Sequence, residues 1–288
     1  MQVDLEPGKY VLAVSGGVDS MVLLDLLAGR PDLALTVAHF DHGIRMDSKF
    51  DAIFVRLACT RYGLPFVTER AELGPDASEA TARTARYDFL RRTLQEAGAA
   101  AIVTAHHQGD RVETAVINWQ RGTGRRGLTA LKDRPDIKRP LLAYSKAQLL
   151  KYAEKNNISW REDSTNHLPQ YARNRVRQKL SGQDISGLAA ALDALQKTND
   201  TIDQLIEEQL NTHLLKQGLE RKWYKELPTD VATEIMAAWL RKSDLADFDR
   251  LTLERLTQAA QTAATGKKFD IRRGAFLAIQ KDFLAIEK

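Results

Sequence analysis

Val11-Leu12-Ala13-Val14-Ser15-Gly16-Gly17-Val18-Asp19-Ser20 is the stretch that decides the fold. Four apolar residues run into a polar glycine turn, and Met21-Val22-Leu23-Leu24 then opens an apolar-faced segment. That order reads as a strand, a tight turn and a helix N-terminus. Two glycines let the backbone approach an oxyanion closely, the first-turn amides point outward, and the helix dipole attracts negative charge. Ser15 and Ser20 add hydroxyl donors. Asp19 is out of place beside a phosphate unless a metal ion or an ammonium group offsets its charge. A capped glycine turn without a ligand is the plainer reading of Ser-Gly-Gly taken alone.

The same alternation continues outward from this turn. Apolar, β-rich runs at 10–14, 33–40, 65–69 and 101–105 predict buried strands, with helices over 18–28, 47–62, 78–97 and 110–120. A fifth strand over 137–142 and a helix opened by the capping box Ser145-Lys146-Ala147-Gln148 complete the unit. This is an α/β pattern, a parallel sheet with helices on both faces, whose ligands sit beyond the carboxyl ends of the strands. From about 170 the pattern turns helical to about 261 with no strand-like run, and 268–271, 275–280 and 283–286 predict a small antiparallel sheet. A boundary at Ser181-Gly182 divides the chain into domains 1–182 and 183–288, with Trp223 and Trp239 of the second read as core.

The 288 residues include 42 basic and 38 acidic side chains and a single cysteine, Cys59. One cysteine excludes a disulfide framework within the chain and multi-cysteine metal ligation. No apolar run approaches the ~20 residues that cross a bilayer, so the expectation is a soluble, cytoplasmic protein with no membrane partner. The net charge of +4 says little, but Arg121, Arg125, Arg126, Lys132, Arg134, Lys138 and Arg139 crowd one stretch, and Arg173, Arg175, Arg177 and Lys179 another. Such patches fit a polyanion or form a solvated basic face.

Two strand ends carry unusual polar strings. The second ends in His39-Phe40-Asp41-His42-Gly43-Ile44-Arg45, and the fourth in Thr104-Ala105-His106-His107-Gln108-Gly109-Asp110-Arg111-Val112-Glu113-Thr114. Asp110 and Glu113 are three apart, so on a helix their carboxylates share a face near its N-terminus. Such a pair holds a magnesium ion or an ammonium group, or else Asp110 merely caps the helix beside a solvated Glu113. The spacing is not that of a zinc site. The Walker pattern is absent, and Gly122-Thr123-Gly124-Arg125-Arg126-Gly127 matches the dinucleotide fingerprint only formally, because it follows a predicted helix instead of a strand.

The string Ser15 to Ser20 resembles the PP-loop of the N-type ATP pyrophosphatases, a Rossmann-like, adenine nucleotide alpha hydrolase-like fold. With HFDHGIR, Ala85-Arg86-Tyr87, AHHQGDRVET, Arg121 to Leu128, Arg139-Pro140-Leu141-Leu142, Arg161 to Asn166 and Tyr171 to Arg177 in order, the chain resembles the tRNA(Ile)-lysidine synthases over about 10–180. Beyond 182 the likeness is general, to the shorter members that lack an extra C-terminal domain. Gly109 departs from the pattern, which usually has Asp or Asn there, and Ser164-Thr165-Asn166 fits only loosely.

The resemblance implies ATP-dependent ligation of free lysine to carbon 2 of the wobble cytidine of an isoleucine tRNA with a CAU anticodon, through an adenylated tRNA, giving lysidine, AMP and pyrophosphate. It implies ATP bound by Ser15, Gly16, Gly17, Val18, Asp19, Ser20, His39 and Arg86, and lysine bound by His106, Asp110 and Glu113. Asp19, Arg86, His106, Asp110 and Glu113 become the catalytic candidates, and Asp19 and Asp110 the candidate magnesium ligands. The tRNA falls to Arg121, Arg125, Arg126, Arg173, Arg175 and Arg177. A homodimer is one assembly the sequence allows. The rivals are a tRNA thiolase, which needs cysteines or a cluster, a small-molecule synthetase of the same fold, and a nucleotide sensor without turnover.

Overall fold

The computed structural model describes residues 1–43, 48–74, 78–161 and 172–288. Ile44, Arg45, Glu162, Asp163, Ser164, Thr165, Asn166 and Tyr171, singled out above, lie outside the described residues. The described chain forms two compact units, Met1–Leu195 and Gln196–Lys288.

The first unit is built on five parallel strands, β1 (Gly8–Ala13), β2 (Leu33–Asp41), β3 (Phe66–Arg70), β4 (Ala101–Val103) and β5 (Ile137–Lys138), in the order β3-β2-β1-β4-β5. Between them run α1 (Val18–Ala28), α2 (Lys49–Tyr62), α3 (Glu79–Glu96), α4 (Gln108–Gln120) and the short α5 (Arg125–Leu128). After β5 come α6 (Lys146–Lys155) and α7 (Ala172–Leu180). Strand alternation decides the layering. Leu12, Val37 and Val103 pack with Leu23, Leu24 and Leu27 of α1, Val55 and Cys59 of α2, and Leu149 of α6. Their neighbours Val11, Ala38 and Ile102 face the other way, against Tyr87, Phe89 and Leu90 of α3. The sheet is thus buried on both faces, as its unbroken apolar strands predict.

The predicted fifth strand shrinks to two residues because Arg139-Pro140 follows it: proline has no N–H to donate, and the chain turns there. The Ser145 capping box is present, with Gln148 N–H donating to Ser145 Oγ at 3.3 Å and Ser145 N–H to Gln148 Oε1 at 2.8 Å.

Chain order sets the functional crevice. The sheet grows from β1 through β2 to β3 on one side and from β4 to β5 on the other, so the direction reverses between β1 and β4. Ligands in open α/β sheets bind at that switch point, beyond the carboxyl ends of the strands. The turn Ser15 to Gly17 leaves β1 there, and the histidine pair His106-His107 leaves β4 beside it.

In the second unit the end of α8 (Ser186–His213), α9 (Arg221–Glu226), α10 (Thr229–Lys242) and α11 (Arg250–Thr262) accompany β8 (Lys268–Arg272), β9 (Ala275–Ile279) and β10 (Phe283–Glu287). The expectation of no strand between 170 and 261 is overturned. β6 (Leu214–Leu215) and β7 (Gly218–Glu220) form a hairpin, and β7 pairs with β10 to complete an antiparallel sheet in the order β6-β7-β10-β9-β8. Segments so short carry no periodicity of their own. Their conformation comes from pairing with a strand more than 60 residues away in the chain, Leu284 opposite Leu219. Trp239 is buried among Ile235, Leu240, Leu256 and Leu277, and Trp223 stacks on His213 with ring centroids 4.0 Å apart. Among the described residues no helix is long and apolar enough to cross a membrane.

Candidate functional site

The turn after β1 is held by its own serines. Ser20 Oγ accepts from the Ser15 and Gly16 amides, each at 3.2 Å, and donates to Gly17 O at 2.9 Å. Two amides therefore converge on the Ser20 hydroxyl oxygen, which ties the turn to the first residues of α1. Ser20 spends its own hydrogen inside the loop, whereas Ser15 is exposed at the rim. Gly16 has φ +94°, a left-handed conformation that side chains strain to adopt. Gly17 caps α1, and Val18 packs into the core below the loop.

Asp19 does have its ammonium partner. Lys146, the first residue of α6, places Nζ 2.7 and 2.9 Å from the two carboxylate oxygens. The pair is partly exposed, and both residues line the cleft.

His39 sits on β2 and is buried, its Nδ1 hydrogen donated to Val14 O at 2.8 Å where β1 ends. Burial pushes its pKa down, and its Nε2 has no hydrogen-bond partner. The β2 tip is fixed by Gly43, whose φ is +66° and whose added Cβ would lie 2.1 Å from Ala71 O. Only glycine fits there. Asp41 Oδ1 accepts the Gly43 amide at 2.9 Å.

Across the crevice α4 begins with a reciprocal cap: the Gly109 amide donates to His107 Nδ1 at 3.0 Å, and the His107 amide to Asp110 Oδ2 at 2.9 Å. His106 turns the other way and shares a hydrogen with Thr104 Oγ1 at 2.8 Å. Burial, helped by the positive Arg139, Arg86 and Arg83, drives the His106 pKa well below its ordinary value against the pull of Asp110. Burial also opposes charge on Asp110, but His107, His106, the His107 amide and Arg177 outweigh it and hold its pKa low.

Glu113 is buried, and a cation already reads it. Arg177 of α7 donates Nε to Oε1 at 2.8 Å and Nη2 to Oε2 at 3.0 Å, with a longer 3.4 Å contact to Asp110 Oδ1. Arg173, one turn earlier, donates to Thr114 Oγ1 at 3.1 Å and comes within 3.9 Å of Glu113. Of the six arginines expected to hold tRNA, these two therefore turn inward against the carboxylates. Arg175 is exposed on the opposite side of α7, Arg121 is exposed after α4, and Arg125 and Arg126 are half-buried in α5. The segment Gly122 to Gly127 does follow helix α4, so it lacks the strand a dinucleotide fingerprint requires.

These groups share one cleft of about 1300 Å³, lined by Ser15, Asp19, His39, Arg86, His106, His107, Asp110, Glu113, Lys146, Arg173 and Arg177, among others. Arg86 on α3 has a buried Nε without a hydrogen-bond partner, and burial depresses its pKa. A buried guanidinium with an unused donor in a cleft wall calls for an anion. Two of these residues, His107 and Lys146, were not among the sequence candidates.

A PP-loop domain family matches residues 1–183. The chain is 32% identical over 300 aligned residues to the tRNA(Ile)-lysidine synthase of Parasynechococcus marenigrum, covering 96% of this chain and 88% of that protein. It is 36% identical to the tRNA(Ile)-lysidine synthase of Thermotoga maritima, over 75% of this chain but only 53% of that one. The chain thus spans about half the length of the Thermotoga relative. Among solved structures, the U34-tRNA thiolase NcsA from Methanococcus maripaludis, described with its 4Fe-4S cluster, superposes with a TM-score of 0.53 at 18% identity. It covers 67% of this chain and 73% of its own, a likeness of fold.

Proposed function

The chain belongs to the PP-loop family of tRNA(Ile)-lysidine synthases, and from that premise we propose that it ligates free lysine to carbon 2 of the wobble cytidine of an isoleucine tRNA with a CAU anticodon. The observation that carries the reading is the single cleft in which an anion-binding loop after β1 faces a buried carboxylate pair after β4. At about 1300 Å³ it exceeds the ~300–1,000 Å³ usual for one small ligand and has room for a nucleotide and a second substrate.

The chemistry divides as the cleft does. Oxygen 2 of cytosine attacks the α-phosphorus of ATP, the bond to the bridging β-phosphate oxygen breaks, and pyrophosphate leaves with the displaced electron pair. Phosphoryl transfer asks mainly for alignment and charge neutralisation. The loop amides, Lys146 and Arg86 supply both. Asp19, which lines the cleft in a pair with Lys146, would hold a magnesium ion, and such an ion would neutralise charge on the leaving pyrophosphate. Asp110, in the same cleft, is the second candidate ligand for that ion as well as a ligand for the amine.

In the second step the ε-amine of lysine, having lost a proton, attacks carbon 2. The carbon–oxygen bond to the adenylate breaks and AMP departs. Asp110 and Glu113 bind and orient the amine in place of the Arg177 guanidinium, and His106, kept uncharged by its surroundings, adds no repulsion to an incoming ammonium. An anticodon base is already single-stranded, so swinging it into the cleft costs little. The exposed Arg121 and Arg175 fit the RNA backbone, and the helical second unit is the candidate for contact with the tRNA body. The thiolase alternative lacks its nucleophile: Cys59 is buried in α2, and burial pushes its pKa up to about 11.

The test is incubation with α-labelled ATP and an isoleucine tRNA carrying a CAU anticodon, with and without lysine. Labelled, adenylated tRNA should accumulate without lysine and discharge labelled AMP when lysine is added. Absence of any tRNA-dependent label transfer would overturn the reading.

A further inference from the structure

We propose that Trp119 is a stacking platform for an unpaired base of the RNA substrate, set at the far end of the helix whose first turns carry Asp110 and Glu113. The inference rests on the tRNA reading above and adds a base contact to it, where that reading has only contacts to the RNA backbone.

Trp119 is 71% exposed at the C-terminal end of α4. Indole is the largest side chain and is mostly buried in folded proteins, so a ring left in water adds little to the fold. The helical register explains how it gets there. Ala115 and Val112, one and two turns earlier, are buried on the same face, and Trp119 continues their stripe past the edge of the core.

The ring is not needed to shape the chain that follows. Asn118 does that: its Nδ2 donates to Gly127 O at 2.7 Å, and its carbonyl accepts from the Thr123 amide at 3.2 Å and from Thr123 Oγ1 at 3.1 Å. Gly122, at φ +69°, makes the turn. The tip is thus held by Asn118, and the neighbouring indole is left turned to solvent.

The surrounding charge says what covers it. Residues 119–124 are exposed without a break, and from Thr114 to Lys132 the chain carries Arg121, Arg125, Arg126 and Lys132 and no acidic residue. Two copies of such a surface placed face to face repel each other. A polyanion with flat apolar faces suits both halves of it: guanidinium groups meet phosphates, and the indole meets a base. Duplex RNA hides its bases in the stack, so the partner is a single-stranded segment, which an anticodon loop offers. The distance fits as well. Trp119 lies six residues beyond Glu113, about 9 Å along the helix at ~1.5 Å per residue, so a loop with one base in the cleft has others within reach.

The experiment uses the full chain with Trp119→Ala, Trp119→Leu, Trp119→Phe and Arg121→Ala. Two RNA probes are compared, an isoleucine tRNA with a CAU anticodon and a single-stranded RNA of about ten nucleotides. The readouts are Kd at several salt concentrations, quenching of tryptophan emission, KM and kcat for adenylation, the thermal midpoint and the sedimentation state.

Trp119→Ala and Trp119→Leu should both weaken binding of either RNA about 5- to 100-fold, the loss of one base stack, while Trp119→Phe stays within about threefold of wild type. The loss should fall on KM for tRNA, with kcat for adenylation kept within about twofold and the thermal midpoint unchanged, because the ring touches neither the reacting atoms nor the core. A stack neutralises no phosphate, so the salt slope should not change at Trp119 but should become shallower by about one unit in Arg121→Ala. Quenching by RNA should shrink in Trp119→Phe even though binding persists.

Wild-type affinity in Trp119→Ala overturns the proposal, and so does full affinity in Trp119→Leu, which would make position 119 a plain apolar contact. A loss that tracks the break-up of a dimer assigns the ring to a second copy of the chain and overturns it too. If the wild type binds the single strand through Trp119 but adenylates no tRNA, the functional reading falls and the stacking platform stands. Binding of neither RNA sinks both.

Discussion

The turn after β1 and the turn after β4 leave neighbouring parallel strands in the same direction, and each runs directly into a helix, yet they are furnished for opposite charges. After β1 the chain offers glycines, amides and a lysine that answers the one carboxylate, Asp19. After β4 it offers two buried carboxylates, answered by arginines from α7. Both helix N-termini favour negative charge through their dipoles. Each helix has an acid in its first turn, Asp19 at α1 and Asp110 at α4, but Lys146 neutralises the first, whereas the second also closes the cap of its own helix. Topology supplies the position, and side chains choose the sign.

The difference is open to direct attack, most severely at Glu113. Glu113→Ala should cut lysine transfer by about 100-fold or more while leaving adenylation within about threefold, measured as separate half-reactions. Equal loss in both steps would erase the division between the two turns.

Gly16→Ala strikes the other side. Forcing a side chain into the left-handed region costs about 1–2 kcal/mol, so affinity for ATP should fall about 10-fold with the KM for lysine unchanged. Calorimetric titration with ATP checks it.

Acid separates the turns by stability. His106 has a folded-state pKa below its ordinary value near 6.5, so protons favour the unfolded chain. Its contribution is full above about 6.5 and is lost as pH falls toward the depressed value, by on the order of 1 kcal/mol per pH unit. His106→Asn should therefore flatten the fall in stability between pH 6.5 and about 5, followed by urea denaturation.

Lys146→Met tests a pair that is half open to water, so the expected effect is smaller, about a threefold rise in KM for ATP that high salt masks. Smallest of all, Arg175→Ala should weaken tRNA binding about two- to threefold and make its salt dependence shallower by about one unit of slope. Arg177→Ala, whose guanidinium is spent on Glu113, should leave that slope unchanged.

Much of this was legible in the linear chain because it is local. Ser15 to Ser20 declares its turn through adjacent glycines and a following apolar helix, and Asp110 and Glu113 declare a shared face by their spacing. Asp19 even announced its need for a cation. The identity of that cation was hidden, since Lys146 lies 127 residues away and reads only as part of a capping box. His107 cannot be told from His106 in the linear chain, because two adjacent histidines look alike until the strand exit turns one toward Asp19 and the other toward Thr104. The arginines of α7 looked alike too. Their i, i+4 spacing puts Arg173 and Arg177 on one face, but only packing against α4 shows that the face meets Glu113 instead of solvent. The hairpin of β6 and β7 leaves no local signal for a related reason, its strands being held by a distant partner.

The sequence by itself determined the parallel sheet, the glycine turn after β1 and the family, because strand alternation, glycine placement and contiguous motifs act over a few residues. Only the tertiary structure decided which charges meet. Lys146 with Asp19 and Arg177 with Glu113 are each set where separate strands end at one switch point, and Coulomb and steric terms that fall off within a few ångströms cannot be read from positions far apart along a chain.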